Sequence, residues 1–161
     1  MGDVRIGLGV DLHRFEAGRP LLLGGVEFDG EEGLAGHSDG DAVCHALADA
    51  LLGAAGLGDL GQLFPDTDPR WRWIAGLDLL GRVSAMVAER GLRPSGCDVT
   101  VLAQRPQVDP RRAEIQANLA RVLGLGPDRV SIKATRPEGL GLTGDGVACL
   151  AVATLEPAGE P

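Results

Sequence analysis

The sequence predicts an α/β (α+β) fold, a single-domain two-layer sandwich with a mixed β-sheet and its helices on one face. Two observations predict it. Short β-branched runs alternate along the chain with stretches of helical periodicity, and prolines and glycines punctuate the junctions. The chain also has 161 residues, enough for one full-sized core, and is 44% apolar but only 3% aromatic, so that core is built from Leu, Val, Ile and Ala.

The elements follow in order. Residues 4–10 are β-branched or glycine-rich and read as a strand leading into Asp11. Residues 21–23 and 26–28 flank Gly24-Gly25, the signal of a hairpin or a bulged strand. Residues 39–57 show helical spacing, with Val43, Ala46, Leu47, Ala50 and Leu51 on one face and Ser38 or Asp39 as a natural N-cap. Residues 58–69 read as a loop. A second helix spans residues 77–89 and stops at Gly91. DVTVLA (98–103) is a strand, Pro110 opens a third helix through residue 122, and RVSIKA (129–134) is a strand. A glycine-rich turn over 139–146 precedes a last strand over 147–155. Residues 1–157 form the domain, and residues 158–161 a frayed tail.

Net charge is −8 with no basic block, which argues against nucleic-acid binding and docking on anionic membranes. No run reaches the roughly 20 apolar residues of a spanning helix. Cys44, Cys97 and Cys149 are widely separated and form no C-x-x-C pair, as expected of reduced, buried thiols in a soluble, cytoplasmic protein. Lys133, on the strand at 129–134, reads as a surface charge.

Chemistry concentrates in the first half of the chain. GVDLHRF holds Asp11 and His13, and GHSDGDAVCHALADALLGAAGLGDLGQLFPDTDP holds the other two histidines. Zinc takes histidine nitrogen and carboxylate oxygen, and a catalytic site uses three protein ligands. Asp11 and His13 are two apart at a strand end, so both side chains point to one face. His45 lies on the following helix, whose first turns can bring its ring over that strand. Cys44 is offset by about 100° around the helix and belongs in the core. A D-x-H pair alone is more often an ordinary cap or surface pair; the neighbouring HSDGD and FPDTDP raise the weight of the metal reading. FPDTDP is either a turn capped by Asp66 and Asp68 or a substrate-covering loop. DVTVLAQRP and VSIKATRPEGLGLTG both run from strands into polar, proline-containing turns, where open α/β sheets place ligands.

Together GVDLHRF, LLLGGV, GLAGHSDGDAVCHALADALLGAAGLGDLGQLFPDTDPRW, DVTVLAQRP and IKAT..EGLGLTG, in this order over nearly the whole chain, resemble the 2-C-methyl-D-erythritol 2,4-cyclodiphosphate synthase family of the non-mevalonate isoprenoid pathway. The resemblance implies an enzyme that converts 4-diphosphocytidyl-2-C-methyl-D-erythritol 2-phosphate to the cyclic diphosphate with release of CMP. It implies zinc on Asp11, His13 and His45, and a second ion, Mg²⁺ or Mn²⁺, supported by Glu138. His37 and Ser38 would contact the phosphate and erythritol part, His37 with a catalytic role. Asp59, Leu60 and Gly61 would hold the ribose side, and Phe64, Pro65, Asp66, Thr67 and Asp68 would cover the methylerythritol. Ala103, Gln104 and Pro106, with Thr135 onward and Leu142, would enclose the cytidine diphosphate from a neighbouring subunit of a homotrimer.

The sequence departs from the family in four places. The family's threonine run reads Thr135-Arg136-Pro137, and Arg136 stands at the threonine credited with transition-state help; Thr135 is the hydroxyl left for that role. Gln107 stands where a lysine is frequent. The turn is shortened to Thr143-Gly144-Asp145-Gly146. The arginine lining the trimer's central cavity has no counterpart, so prenyl diphosphate binding there is not carried over. Two other functions use the same residues: a metal-dependent phosphohydrolase, or a non-catalytic metal-binding trimer.

Overall fold

The computed structural model describes residues 3–141 and 144–159. The chain opens with β1 (Arg5–Glu16), then β2 (Leu21–Leu23), β3 (Val26–Phe28) and β4 (Gly33–Leu34). Helices α1 (Ala42–Ala55), α2 (Leu60–Leu63) and α3 (Gly76–Glu89) follow, then β5 (Leu92–Ala103), α4 (Arg112–Leu123), β6 (Val130–Thr135) and β7 (Gly146–Pro157). One sheet has the order β4-β1-β7-β5-β6, and β2 and β3 form a separate hairpin. The sheet is mixed: β1 and β5 run antiparallel to β7, while β5 and β6 are parallel.

β1 alternates strictly. Gly7 and Gly9 are buried, whereas Ile6, Leu8, Val10 and Leu12 are 70%, 63%, 46% and 63% exposed. The glycines face α1, and a Cβ built on Gly7 would lie 1.9 Å from the Ala50 carbonyl oxygen. Side-chain-free strand positions thus let the helix backbone rest directly on the sheet. α1 is apolar nearly all round and buried along most of its length, as expected of a helix enclosed by β1 and β7 on one side and α3 on another.

Several boundaries differ from the sequence reading. The N-cap of α1 is Asp41, not Ser38 or Asp39. Its carboxylate accepts from the Cys44 N–H and also from the Gly24 and Gly25 N–H groups of the hairpin turn, so one buried side chain ties two elements together. β5 begins at Leu92, six residues before the expected start, because a bulge between Pro94 and Gly96 absorbs both strand breakers. β1 continues past His13 to Glu16, so the D-x-H pair is in mid-strand rather than at its end. The stretch read as a loop contains α2, capped by Asp59. Pro110 belongs to a single 3₁₀ turn (Asp109–Arg111), and α4 starts at Arg112. The Gly24-Gly25 hairpin and the surface position of Lys133, paired with Asp98 at 2.6 Å, match expectation.

β7 ends at Pro157, and the Ala158 N–H donates to Gly91 O. The last two residues of the expected frayed tail lie outside the described residues, as does Leu142. Among the described residues no helix is long and apolar enough to cross a membrane. All three cysteines are free and buried.

Candidate metal centre and substrate cleft

The close seating of α1 on β1 sets the centre. His45 precedes Ala46, whose carbonyl lies against Gly9, so the His45 ring comes down beside the next odd-numbered residues of the strand, Asp11 and His13. His13 Nε2 is 2.7 Å and His45 Nδ1 3.4 Å from Asp11 Oδ2, and the two ring nitrogens are 3.3 Å apart. Asp11, His13 and His45 are the one group among the described residues that can converge on a metal ion.

The outer partners decide where the protons sit. His13 Nδ1–H donates to Ala35 O, and His45 Nε2 lies 3.1 Å from Ser38 Oγ. Ser38 Oγ already accepts from the Gly40 N–H and has a lone pair left for His45 Nε2–H. Both rings then present bare nitrogens to Asp11. Asp11 Oδ2, 2.7 Å from His13 Nε2, is buried and turned to the same point as the two ring nitrogens. Three converging lone-pair donors repel one another unless a cation lies among them, and hydrogen-bonded histidines beside a carboxylate are a usual divalent-metal donor set. The residues fit a metal.

Electrostatics agree. Burial pushes the Asp11 carboxyl up, but the two histidines outweigh it and hold it at about 2. Burial pulls His13 down, but Asp11 and the Ala35 carbonyl prevail and raise it. In the bare site a proton takes the place the donor set offers to a cation.

The centre lies in a cleft of about 500 Å³. Of the residues expected to bind substrate, the structure brings His37, Ser38, Leu60, Gly61, Phe64 and Asp66 to it. Asp59 caps α2 through the Gln62 N–H, and Asp68 caps the next turn through the Arg70 N–H while pairing with the Arg70 guanidinium, as in the capped-turn reading. Pro65 is not among the residues that line the cleft, and Thr67 lines a neighbouring depression with His37 and Trp73. Ala103, Gln104, Pro106 and Thr135 line a separate depression of about 450 Å³. Glu138 is exposed, at φ 51°, and lines neither.

Five cleft residues escaped the sequence reading: Gly36, Asp49, Trp71, Ile74 and Leu79. Asp49 is one turn beyond His45 on α1, a spacing that could have revealed it; burial raises its carboxyl, which accepts from the Leu60 N–H at 2.8 Å. Trp71 packs edge-on against Phe64, with ring centroids 4.9 Å apart. Ile74 adds apolar wall. The tryptophan lies two residues after FPDTDP in a chain with few aromatics, which was the available signal.

Fold and centre define a class: a mixed-sheet α/β protein with a two-histidine, one-aspartate metal-ligating group in a cleft between β1, α1 and the segments that follow. The family model of the YgbB family matches residues 4–156, and the chain belongs to that family. It is similar to the bifunctional enzyme IspD/IspF of Anaeromyxobacter dehalogenans, with 55% identity over 94% of this chain and 40% of that protein. The chain therefore spans about two-fifths of that relative's length. It is also similar to the 2-C-methyl-D-erythritol 2,4-cyclodiphosphate synthase of Symbiobacterium thermophilum, at 53% identity over 93% of this chain and 97% of the relative. Among solved structures, a 2C-methyl-D-erythritol-2,4-cyclodiphosphate synthase in its CDP-bound form superposes with a TM-score of 0.87 and 42% identity, covering 94% of this chain and 99% of the other.

Proposed function

We propose that the chain is a cyclodiphosphate synthase, a phosphorus–oxygen lyase that converts 4-diphosphocytidyl-2-C-methyl-D-erythritol 2-phosphate to 2-C-methyl-D-erythritol 2,4-cyclodiphosphate and CMP. The observation that carries this reading is the Asp11–His13–His45 centre in its cleft, in a chain 53% identical over 97% of a relative with that name.

The substrate's 2-phosphate oxygen attacks the β-phosphorus. The new O–P bond closes the ring as the bridge to the α-phosphorus breaks, and that bridging oxygen leaves with CMP. The nucleophile is already an anion, so no strong base is required, consistent with a cleft that offers metal ligands rather than a nucleophile–base pair. A divalent ion held by Asp11, His13 and His45, zinc in this reading, polarises phosphate oxygen when bound. Ala35 and Ser38 keep the two rings in the ligating tautomer. His37 and Ser38 hold the phosphate and erythritol part. Phe64 and Trp71 wall the cleft and exclude water, favouring cyclisation over hydrolysis. Folding the substrate makes the step intramolecular, an advantage of about 7–11 kcal/mol at best.

The site is completed by a second subunit. Within one chain the depression at Ala103, Gln104, Pro106 and Thr135 shares no lining residue with the metal cleft, which supports a neighbour's copy supplying the cytidine side. The exposed row Ile6, Leu8, Val10 and Leu12 supports burial of that sheet face in a homotrimer. Residues 1–157 form its single two-layer domain with 158–161 as a tail, Glu138 supports the second ion, Mg²⁺ or Mn²⁺, and the protein works in the cytoplasm.

The test is product analysis by phosphorus NMR on the metal-loaded protein. Cyclic diphosphate with equimolar CMP is expected. Inorganic phosphate would establish a phosphohydrolase instead, and no turnover would leave a metal-binding protein.

A further inference from the structure

Arg19 lies in the connection between β1 and β2, and it does not line the cleft. Its side chain is nonetheless only 10% exposed. Nη1–H donates to Gly36 O at 2.7 Å, and Nη2–H donates to Ser38 O. Between these two carbonyls, His37 O accepts from the Trp73 N–H at 2.9 Å. Three successive carbonyls of the segment carrying His37 and Ser38 are therefore held by two residues.

Those two residues also hold each other. The Arg19 guanidinium carbon stands 4.8 Å from the Trp73 ring centroid, and Glu16 Oε2 lies 3.2 Å from Nη1, orienting the fork. Trp73 is an outlier twice over: it is 60% exposed, and its φ is 63°, a region unfavourable for a bulky side chain. Core packing does not explain an exposed tryptophan held in that conformation. The hydrogen bond to His37 O and the stack on Arg19 do, and strain kept up beside a site points to a positioning role.

We propose that Arg19 and Trp73 form a clamp that positions His37 and Ser38, with Arg19 a positioning residue for the reaction. The inference rests on the function proposed above. The clamp acts through the backbone: fixing the 36–38 carbonyls aims the His37 side chain into the cleft and sets Ser38 Oγ against His45 Nε2. A planar fork reaches carbonyls two residues apart at once, which a single ammonium does less well.

The experiment compares Arg19→Met, Arg19→Lys and Trp73→Gly in the full chain. It reads hydrogen exchange at the residue 73 amide, bound metal, thermal midpoint, and kcat and KM for CMP release. In Arg19→Met that amide should exchange faster and kcat should fall about ten-fold or more at saturating metal, with the midpoint retained. Arg19→Lys should recover part of both. Trp73→Gly keeps the N–H and relieves the backbone, so its loss should be smaller. Unchanged exchange and kcat in Arg19→Met would overturn the clamp, as would a kcat loss that follows the midpoint and is not rescued by lysine. A wild-type protein that releases no CMP would defeat the functional reading alone, and the exchange data would still judge the clamp.

Discussion

A Cβ on Gly9 would lie 1.8 Å from the carbonyl oxygen of Ala46. Backbone cannot swing aside as a side chain does, so any larger residue at Gly9 must lift α1 off β1. His45 rides on that helix. Gly9→Ala is expected to destabilise the fold by more than the ~1–3 kcal/mol usual for overpacking and to lose the metal with it. Urea unfolding and elemental analysis check this; a stable Gly9→Ala protein with stoichiometric metal would contradict it.

Removing a ligand and removing its support should differ. His45→Ala takes one of three donors and is expected to lose bound metal and activity together. Ser38→Ala leaves all three donors but frees the His45 ring, so metal should still bind, about 10–100-fold more weakly. Competition against a chelator indicator separates the two. Full zinc retention in His45→Ala would remove that residue from the centre.

Asp41 is buried and accepts three backbone N–H groups, from Gly24, Gly25 and Cys44. Asp41→Ala orphans all three. Each unsatisfied buried donor costs about 1–3 kcal/mol, so a loss of at least about 3 kcal/mol is expected in denaturant unfolding. A loss below about 1 kcal/mol would show that water reaches these groups.

The metal triad was legible in the sequence because two simple periods converge on it: residues two apart share a strand face, and a histidine near a helix start can overhang that strand. Asp41 was not, because its reason to cap lies in the hairpin it also holds, a tertiary contact invisible to local preference. The first half of β5 was hidden by Pro94 and Gly96, which read as breakers until the bulge accommodates them. Trp73 carried no signal, since nothing about a tryptophan announces a positive φ. The segments at Ala103 and Thr135 stood out as strand ends, but the cytidine role proposed for them comes from resemblance alone.

Burial pushes Cys97 up to about 12, and burial also drives Cys44 and Cys149 well above the ordinary 9.0. Unfolded thiols release their protons first as pH rises. The unfolded state then binds fewer protons, and stability falls. Unfolding free energy should therefore decline from about pH 9 upward, and Cys97→Ala should flatten part of that slope. Below that pH a thiol reagent should label none of the three until denaturant is added. Rapid native labelling would show that the core opens locally.

The shared-site proposal predicts complementation. His13→Ala chains lack the metal half and Glu138→Ala chains the second-ion half, so each parent should be inactive. Mixed trimers should regain some CMP release, because some interfaces then join two intact halves. Inactive mixtures of parents that remain trimeric would place both halves in one chain.

β1 writes two messages in one strand. Odd positions, 7 through 13, carry the helix seat and two metal ligands, and even positions, 6 through 12, carry the outward apolar row. Because parity separates them, a lineage can rewrite the outward apolar row one residue at a time without touching the metal-ligating face, and the reverse. A deletion of a single residue ahead of Asp11 permits neither, since it exchanges the two messages at once. Inheritance along this strand should thus tolerate substitution in alternating register and exclude changes of length.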